Sequence, residues 1–379
     1  MKILAFIFTL SAIVFIQPLQ AQNSVFEGKE SKSQNQDFYE VRAFPHKFKS
    51  KKPDNIILLI GDGMGVAQVY AGATANRGKL YLNNFKHVGF SRTHSANRYV
   101  TDSGAGGTAI ATGHKANNLA IGVDAAGNPV PSILAIAQQN GLATGIVVTT
   151  SLLDATPAAF VAHVPNRNMA AKIAEAFVTS DVDVFIGGGM EHFNKREDGR
   201  DLIAELSDKG YQVCDNITDV LNVRNGKLAG FIRESRIKER GDQLAKTTET
   251  ALDILDDRKK GFFLMVEASE IDGGGHDNDT EYIVEEMLDF DRTIGKALEF
   301  AAKDGKTLVI VTADHETGGL TLAGGDMEKG MVTGRFTTGG HSGIMVPVFA
   351  YGPGAEEFTG INENTSFFNK FIKVLQLKP

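Results

Sequence analysis

Four short apolar runs in this chain each end in acidic, imidazole or hydroxyl residues, and that coincidence constrains the fold more than any other feature. Asn55–Ile60 runs into Gly61-Asp62-Gly63, and Thr144–Thr149 into Asp154-Ala155-Thr156. Phe262–Val266 runs into Glu267, Asp272 and His276, and Leu308–Thr312 into Asp314-His315. Apolar, β-branched runs of this length, separated by helical stretches, predict buried parallel strands. Open α/β sheets bind ligands in the crevice beyond the carboxyl ends of such strands. Carboxylates crowded there repel one another and lose hydration unless a counter-charge sits among them. Hard oxygen donors mixed with imidazoles predict that this counter-charge is a cluster of metal ions.

A chain of 379 residues that is 42% hydrophobic can bury a large core, and its formal net charge of −7 provides no basic footprint for specific nucleic-acid binding. Glycine stands at 41 of 379 residues, roughly 11% against a usual ~7%. The excess gathers in Gly187–Gly189, Gly273–Gly275 and Gly339-Gly340, where tight loops are expected. Cys214 is the sole cysteine, so no internal disulfide can form; it is read as a buried structural thiol in a strand. Lys2, the apolar stretch Ile3–Ile16 and the small residue Ala21 fit a secretory signal peptide over residues 1–21. The apolar stretch falls short of the ~20 residues a membrane span needs. Residues 22–53 are polar and aperiodic, and are read as a solvated N-terminal linker. Residues 54–379 alternate strand and helix patterns without a break and are read as one catalytic domain. Thr280 to Ala302 carries Ile283, Met287, Phe290, Ile294 and Leu298 at helical spacing, with Glu285, Glu286, Arg292 and Lys296 expected on the solvent face.

Two residues outside the strand ends invite chemistry. Ser103, in Thr101-Asp102-Ser103-Gly104, stands just before a helix-forming stretch, where free backbone N–H groups and the helix dipole can hold an anion. The same pattern equally fits an ordinary N-cap. Arg167 follows Asp154–Pro165, and its planar guanidinium suits two oxygens of a phosphate. On that feature alone it is more often a surface charge.

Six segments, in order, resemble the signatures of the metal-dependent alkaline phosphatases: Asn55–Gly65, Thr101–Lys115, Asp154–Arg167, Val266–His276, Thr312–Gly319 and Gly339–Phe349. The likeness extends from about Asp54 through Lys370. It implies an alkaline-phosphatase-like three-layer α/β sandwich, with a largely parallel central sheet between helices. It implies hydrolysis of phosphate monoesters through a phosphoserine on Ser103, with two zinc ions and one magnesium per subunit. By resemblance, Asp272, His276 and His341 match the first zinc, and Asp62, Asp314 and His315 the second. Asp62 would bridge to the third metal, completed by Thr156 and Glu267. The all-oxygen set suits magnesium, whereas imidazoles favour zinc. Arg167 would hold two nonbridging phosphate oxygens, and Asp102 would orient it. His46, His87, His94, His114, His163 and His192 match no ligand and are read as structural or surface residues.

This chain departs from the family pattern at Gly273, where well-known bacterial members carry Lys and animal members His. That removes a water-mediated phosphate contact and is expected to weaken phosphate binding. Asp154 resembles the bacterial pattern that favours magnesium. The short stretch between His315 and His341 leaves little room for the subdomain that often helps dimerisation, although a homodimer stays open. The signal peptide places the protein in the periplasm or the medium. The alternatives are a phosphodiesterase or phosphonate hydrolase of the same superfamily, or a catalytically silent periplasmic protein that binds phosphate or metal. Arg167 argues against the former, because a monoester presents the dianionic face it would grip.

Overall fold

The register of the strands decides which side chains can meet. A computed structural model describes residues 28–232, 236–257 and 260–379; the signal peptide expected over residues 1–21 lies outside the described residues. In chain order the strands begin with β1 (Lys29–Gln34), β2 (Asn55–Gly61), β3 (His87–Arg92), β4 (Ala143–Ser151) and β5 (Val184–Gly188). They continue with β6 (Tyr211–Cys214), β7 (Lys227–Phe231), β8 (Phe262–Ala268), β9 (Thr307–Thr312) and β10 (Glu316–Thr317). The last are β11 (Leu320–Asp326), β12 (Met331–Phe336), β13 (His341–Ser342), β14 (Val346–Tyr351) and β15 (Gly360–Glu363). A central sheet takes the order β15-β3-β14-β9-β2-β8-β4-β5-β7-β6. Within it only β14 runs against its neighbours.

The four apolar runs are β2, β4, β8 and β9, and they are sheet neighbours. Ile60 of β2 pairs with Glu267 of β8 and Thr312 of β9, and Glu267 in turn pairs with Val148 of β4. Parallel register therefore brings their polar endings to one edge. Along β2 the side chains alternate between two cores, as a pleat requires. Ile56, Leu58 and Ile60 pack with Phe160, Phe177 and Phe371 on one face. Ile57 and Leu59 pack with Met287, Phe290 and Ile294 on the other. Helices Ser103–Thr112, Ile133–Gln139, Ala170–Thr179 and Ser366–Leu375 cover the first face, while Val66–Ala75, Gln243–Asp256 and Thr280–Asp304 cover the second. This is the three-layer α/β sandwich expected from the sequence.

The long helix starts where Asp279 accepts the N–H groups of Glu281 and Tyr282 at 2.9 and 3.3 Å, and stops at Gly305 with φ +75°. Its apolar stripe is wholly buried, so truncating Phe290 to alanine is worth about 3–5 kcal/mol. Glu286 departs from the solvent face expected of it. It is buried and accepts Arg240 Nη1 at 3.0 Å, because the segment Ile237–Arg240 folds over that part of the helix.

The described part of the expected linker is not free chain. β1 pairs antiparallel with β12, extending the β11–β12 hairpin to three strands. Tyr39 Oη then donates to Asp291 at 2.5 Å, and Phe44 N donates to Asn84 Oδ1 at 2.8 Å. Lys-Glu-Ser-Lys-Ser-Gln has no apolar pattern, since β1 is held by backbone pairing and by polar contacts, Thr280 N donating to Ser31 Oγ at 2.9 Å and Arg335 Nη2 to Glu30 Oε2 at 3.0 Å. Cys214 ends β6 half-buried. Among the described residues, no helix is long and apolar enough to cross a membrane.

Candidate metal centre and nucleophile

Ser103 opens the helix Ser103–Thr112, whose N-cap is Asp102; the Asp102 carboxylate accepts the Ala105 N–H at 3.0 Å. Small residues let this helix press into the sheet edge. A Cβ on Gly106 would lie 3.0 Å from the Asp314 carbonyl oxygen, and one on Gly107 would lie 3.2 Å from Thr156 Cα. The buried Ser103 Oγ thereby reaches 3.2 Å from His315 Nε2.

Three imidazoles have their tautomers fixed from behind. His276 Nδ1 lies 2.8 Å from the Gly339 carbonyl and His341 Nδ1 lies 2.9 Å from the Thr101 carbonyl. Carbonyls only accept, so both Nδ1 atoms carry the proton. Thr317 Oγ1 gives its single proton to the Asp272 carboxylate and so accepts from His315 Nδ1 at 3.2 Å. Each neutral ring therefore aims an Nε2 lone pair inward. His276 Nε2 faces Asp272 Oδ2 at 3.2 Å and His341 Nε2 at 3.3 Å; His315 Nε2 faces Asp62 Oδ1 at 3.4 Å and Asp314 Oδ2 at 3.2 Å. Lone pairs facing carboxylates at these distances repel unless a cation sits between them. Back-bonded imidazoles of this kind are the usual support of metal-bound histidine.

The carboxylates make the same demand. Asp62 Oδ1, Glu267 Oε2 and Asp314 Oδ2 are buried with no hydrogen-bond partner. Burial, with the charges of Asp314, Asp272 and Glu267, pushes the Asp62 carboxyl well above its usual range. Burial, then Asp154, does the same to Glu267, and burial with Asp272 raises Asp314 to about 7. Asp272 moves the other way: burial opposes its charge, but the His276 hydrogen bond and the facing imidazoles hold it well below the carboxylate range. His276, bonded to Asp272, is raised to about 9. Burial and the stacked His341 ring, 3.5 Å away between centroids, push His315 well below its ordinary value. A site that without a cation retains protons on carboxylates and on one imidazole is short of positive charge.

Two tight groups form. Asp272, His276 and His341 offer ligand atoms all within 4.8 Å of one another, as do Asp62, Asp272 and His315. The first is the trio expected from sequence. In the second, Asp272 takes the position expected for Asp314, which still stands 3.2 Å from His315 Nε2. Thr156 Oγ1 lies 3.5 Å from Asp62 Oδ2, and Thr156 is also near enough to act on the Glu267 carboxyl, so the three oxygen-bearing residues expected around a third ion meet. The donor chemistry fits divalent cations throughout.

Arg167 pairs with Asp154, and its guanidinium feels the charges of Asp62 and Asp102. Asp102 makes its hydrogen bonds elsewhere. Besides capping the helix it accepts the Leu119 N–H at 2.8 Å, while the Leu119 carbonyl accepts Arg167 N–H at 2.7 Å. The orientation expected from Asp102 is thus supplied by Asp154. Thr317 is a residue the sequence reading passed over, though its position two residues after His315 in a strand-like stretch puts both on one face. Gly273 faces the long helix: a Cβ there would lie 2.9 Å from Tyr282 Oη and 3.0 Å from Glu270 Oε2.

A mostly parallel sheet whose carboxyl edge gathers carboxylates, back-bonded imidazoles and a helix-opening hydroxyl is the architecture of a metal-dependent hydrolase. The alkaline phosphatase family profile matches residues 53–334. Alkaline phosphatase 4 of Bacillus subtilis is 33% identical, over 87% of this chain and 91% of its own length. Streptomycin-6-phosphate phosphatase of Streptomyces griseus is also 33% identical, over 86% and 91%. The solved alkaline phosphatase of the Antarctic bacterium TAB5 superposes with a TM-score of 0.81 at 41% identity, covering 86% of this chain and 99% of that one. This chain belongs to the alkaline phosphatase family of hydrolases.

Proposed function

We propose that the protein is an exported phosphomonoesterase that works through a phosphoserine on Ser103 and binds two zinc ions and one magnesium. The observation that carries the reading is the convergence of Ser103 Oγ, three inward Nε2 lone pairs and three orphaned buried carboxylate oxygens beside one guanidinium. Zinc at the imidazole-bearing groups suits their mixed donors, and magnesium suits Asp62, Thr156 and Glu267. A histidine-to-aspartate variant of the TAB5 enzyme has Mg bound, and Asp154 here resembles the bacterial pattern that favours magnesium. When bound, the cations lower the pKa of nearby hydroxyls and offset charge on the ester oxygens.

The protein groups then divide the work. Arg167, oriented by Asp154, holds two nonbridging oxygens and turns the phosphorus toward Ser103. Ser103 Oγ attacks in line and gives up its proton, forming the Ser–O–P bond as the P–O bond to the alcohol breaks and the departing alkoxide takes up a proton to leave as the alcohol. Water then attacks the phosphoserine, the Ser–O–P bond breaks, and Ser103 regains its proton. The first helical turn supports negative charge throughout.

The test combines turnover with trapping. A chromogenic monoester should be hydrolysed and its methyl diester far more slowly, and acid-quenched enzyme should carry phosphate on Ser103. Ser103→Ala should keep its metals and lose about three decades or more of kcat. Phosphate trapped on another residue, or unchanged kcat in the variant, would overturn the assignment. Export rests on the sequence of residues 1–21, and the N-terminal sequence of the mature protein from extracellular fractions tests it.

A further inference from the structure

We infer that Tyr99 and its neighbours form a platform for the leaving group, and that the substrates best suited to this site are monoesters of aromatic or otherwise flat alcohols. The inference rests on the monoesterase reading above. Tyr99 is 80% exposed, the most exposed large apolar side chain among the described residues. Its loop is nonetheless fixed. Asn118 donates its N–H to Asn97 Oδ1 at 3.0 Å and its Nδ2 to the Val100 carbonyl at 3.2 Å, and Ser95 N donates to the Arg98 carbonyl at 3.1 Å. Two residues after Tyr99, the Thr101 carbonyl holds His341. The ring is thus displayed on a rigid support.

The ring lies over Gly343. A Cβ there would sit 2.4 Å from Tyr99 Cε1 and 2.8 Å from Cδ1, so glycine is required for the ring to rest beside the His341 loop. Ile344, next along that loop, is 55% exposed. Leu119 adds a third exposed apolar side chain on a left-handed backbone, φ +75°. Non-glycine residues avoid that conformation unless their surroundings enforce it. Here the Asp102 carboxylate and the Arg167 N–H hold the Leu119 peptide groups from both sides.

Position gives this apolar rim its role. With the phosphoryl group between Ser103 and Arg167, in-line displacement sends the alcohol away from Ser103. The imidazoles of His276 and His341 are the groups left to face its oxygen, and the loop after His341 carries the Gly343–Tyr99 contact. A flat ring leaving that way meets an exposed aromatic face and stacks on it, whereas a small aliphatic alcohol covers little of it.

The experiment compares phenyl phosphate with glycerol phosphate on wild-type, Tyr99→Ala and Tyr99→Phe holoenzymes. Comparing the ratio of the two substrates between enzymes cancels their intrinsic reactivities. Tyr99→Ala should raise KM for phenyl phosphate about three- to tenfold, with kcat changed less than about twofold and glycerol phosphate unaffected; Tyr99→Phe should keep the wild-type ratio. Equal effects on both esters, or no effect on either, would overturn the platform and leave the monoesterase reading standing. A wild-type enzyme inert on both esters would overturn that reading and this inference with it.

Discussion

Arg167 carries a guanidinium that burial disfavours and that Asp154, Asp62 and Asp102 together hold charged. Tied to Asp154, the planar fork still has donors to offer a phosphate. A bidentate, charge-assisted contact is worth roughly 1.5–3 kcal/mol, so Arg167→Ala should raise KM for monoesters by about one to two decades and weaken phosphate inhibition alike. Diesters, lacking the dianionic face, should lose much less; equal losses in steady-state assays of the two would make Arg167 a general structural element. Most metal-ligand candidates were legible at this scale because they stand where an apolar run stops; His341 follows two glycines instead and was reached only through the family resemblance. The Asp154–Arg167 pair was harder to read, since 13 residues separate its partners and the fold alone brings them together. Gly273 shows the same limit: its departure from the family pattern is visible in sequence, but Tyr282 and Glu270 closing over it are not.

Segments differ in how their sequence reveals them. β2, β8 and β9 are buried throughout, so their composition announces them. β1 and the arm after it hold by backbone pairing and single polar contacts that no periodicity records. The strongest of these contacts is at Asp291, which accepts Tyr39 Oη at 2.5 Å, Tyr81 N at 2.7 Å and Leu82 N at 3.1 Å. Burial still raises this carboxyl to about 6. Its folded value lies above its unfolded one, so its contribution to stability is fully present below about pH 4 and is lost as pH rises through about 6. The Tyr39 hydroxyl limits that loss by bonding the anion. Tyr39→Phe should therefore cost little at pH 5 and about 2 kcal/mol at pH 8, read from urea unfolding of the holoenzyme at both pH values. A cost independent of pH would show that Tyr39 acts by packing alone.

Across the whole molecule, one sheet edge gathers Asp62, Glu267, Asp272 and Asp314 with little protein charge to balance them. Two like charges about 5 Å apart repel by roughly 3 kcal/mol at an effective dielectric of 20, and a few such pairs rival the ~5–15 kcal/mol stability of a domain. With the single Cys214, no internal disulfide offsets this. Without cations, Asp62, Glu267 and Asp314 are all raised, Asp314 to about 7, and His276 is raised to about 9. Each of these contributes stability at low pH that is lost as pH rises through its folded value. Asp272 and His315, both depressed, contribute in the opposite sense, but Asp272 titrates below this range, so between pH 5 and pH 8 His315 alone stands against the four raised groups. The stripped protein should accordingly lose stability between about pH 5 and pH 8. Cations bind the deprotonated groups, so their affinity rises over the same interval, and a site held at 100 times its Kd adds about 2.7 kcal/mol. Chelation should abolish activity and lower Tm, with the Tm gap between loaded and stripped protein wide at pH 8 and narrowing toward pH 5. Zinc with magnesium should restore both properties better than either ion alone, and hydrogen exchange should loosen first at Gly61–Gly65 and Gly273–His276. Stripped protein that melts at the loaded temperature at pH 8, or a gap that ignores pH, would show that this edge is balanced by something other than metal ions.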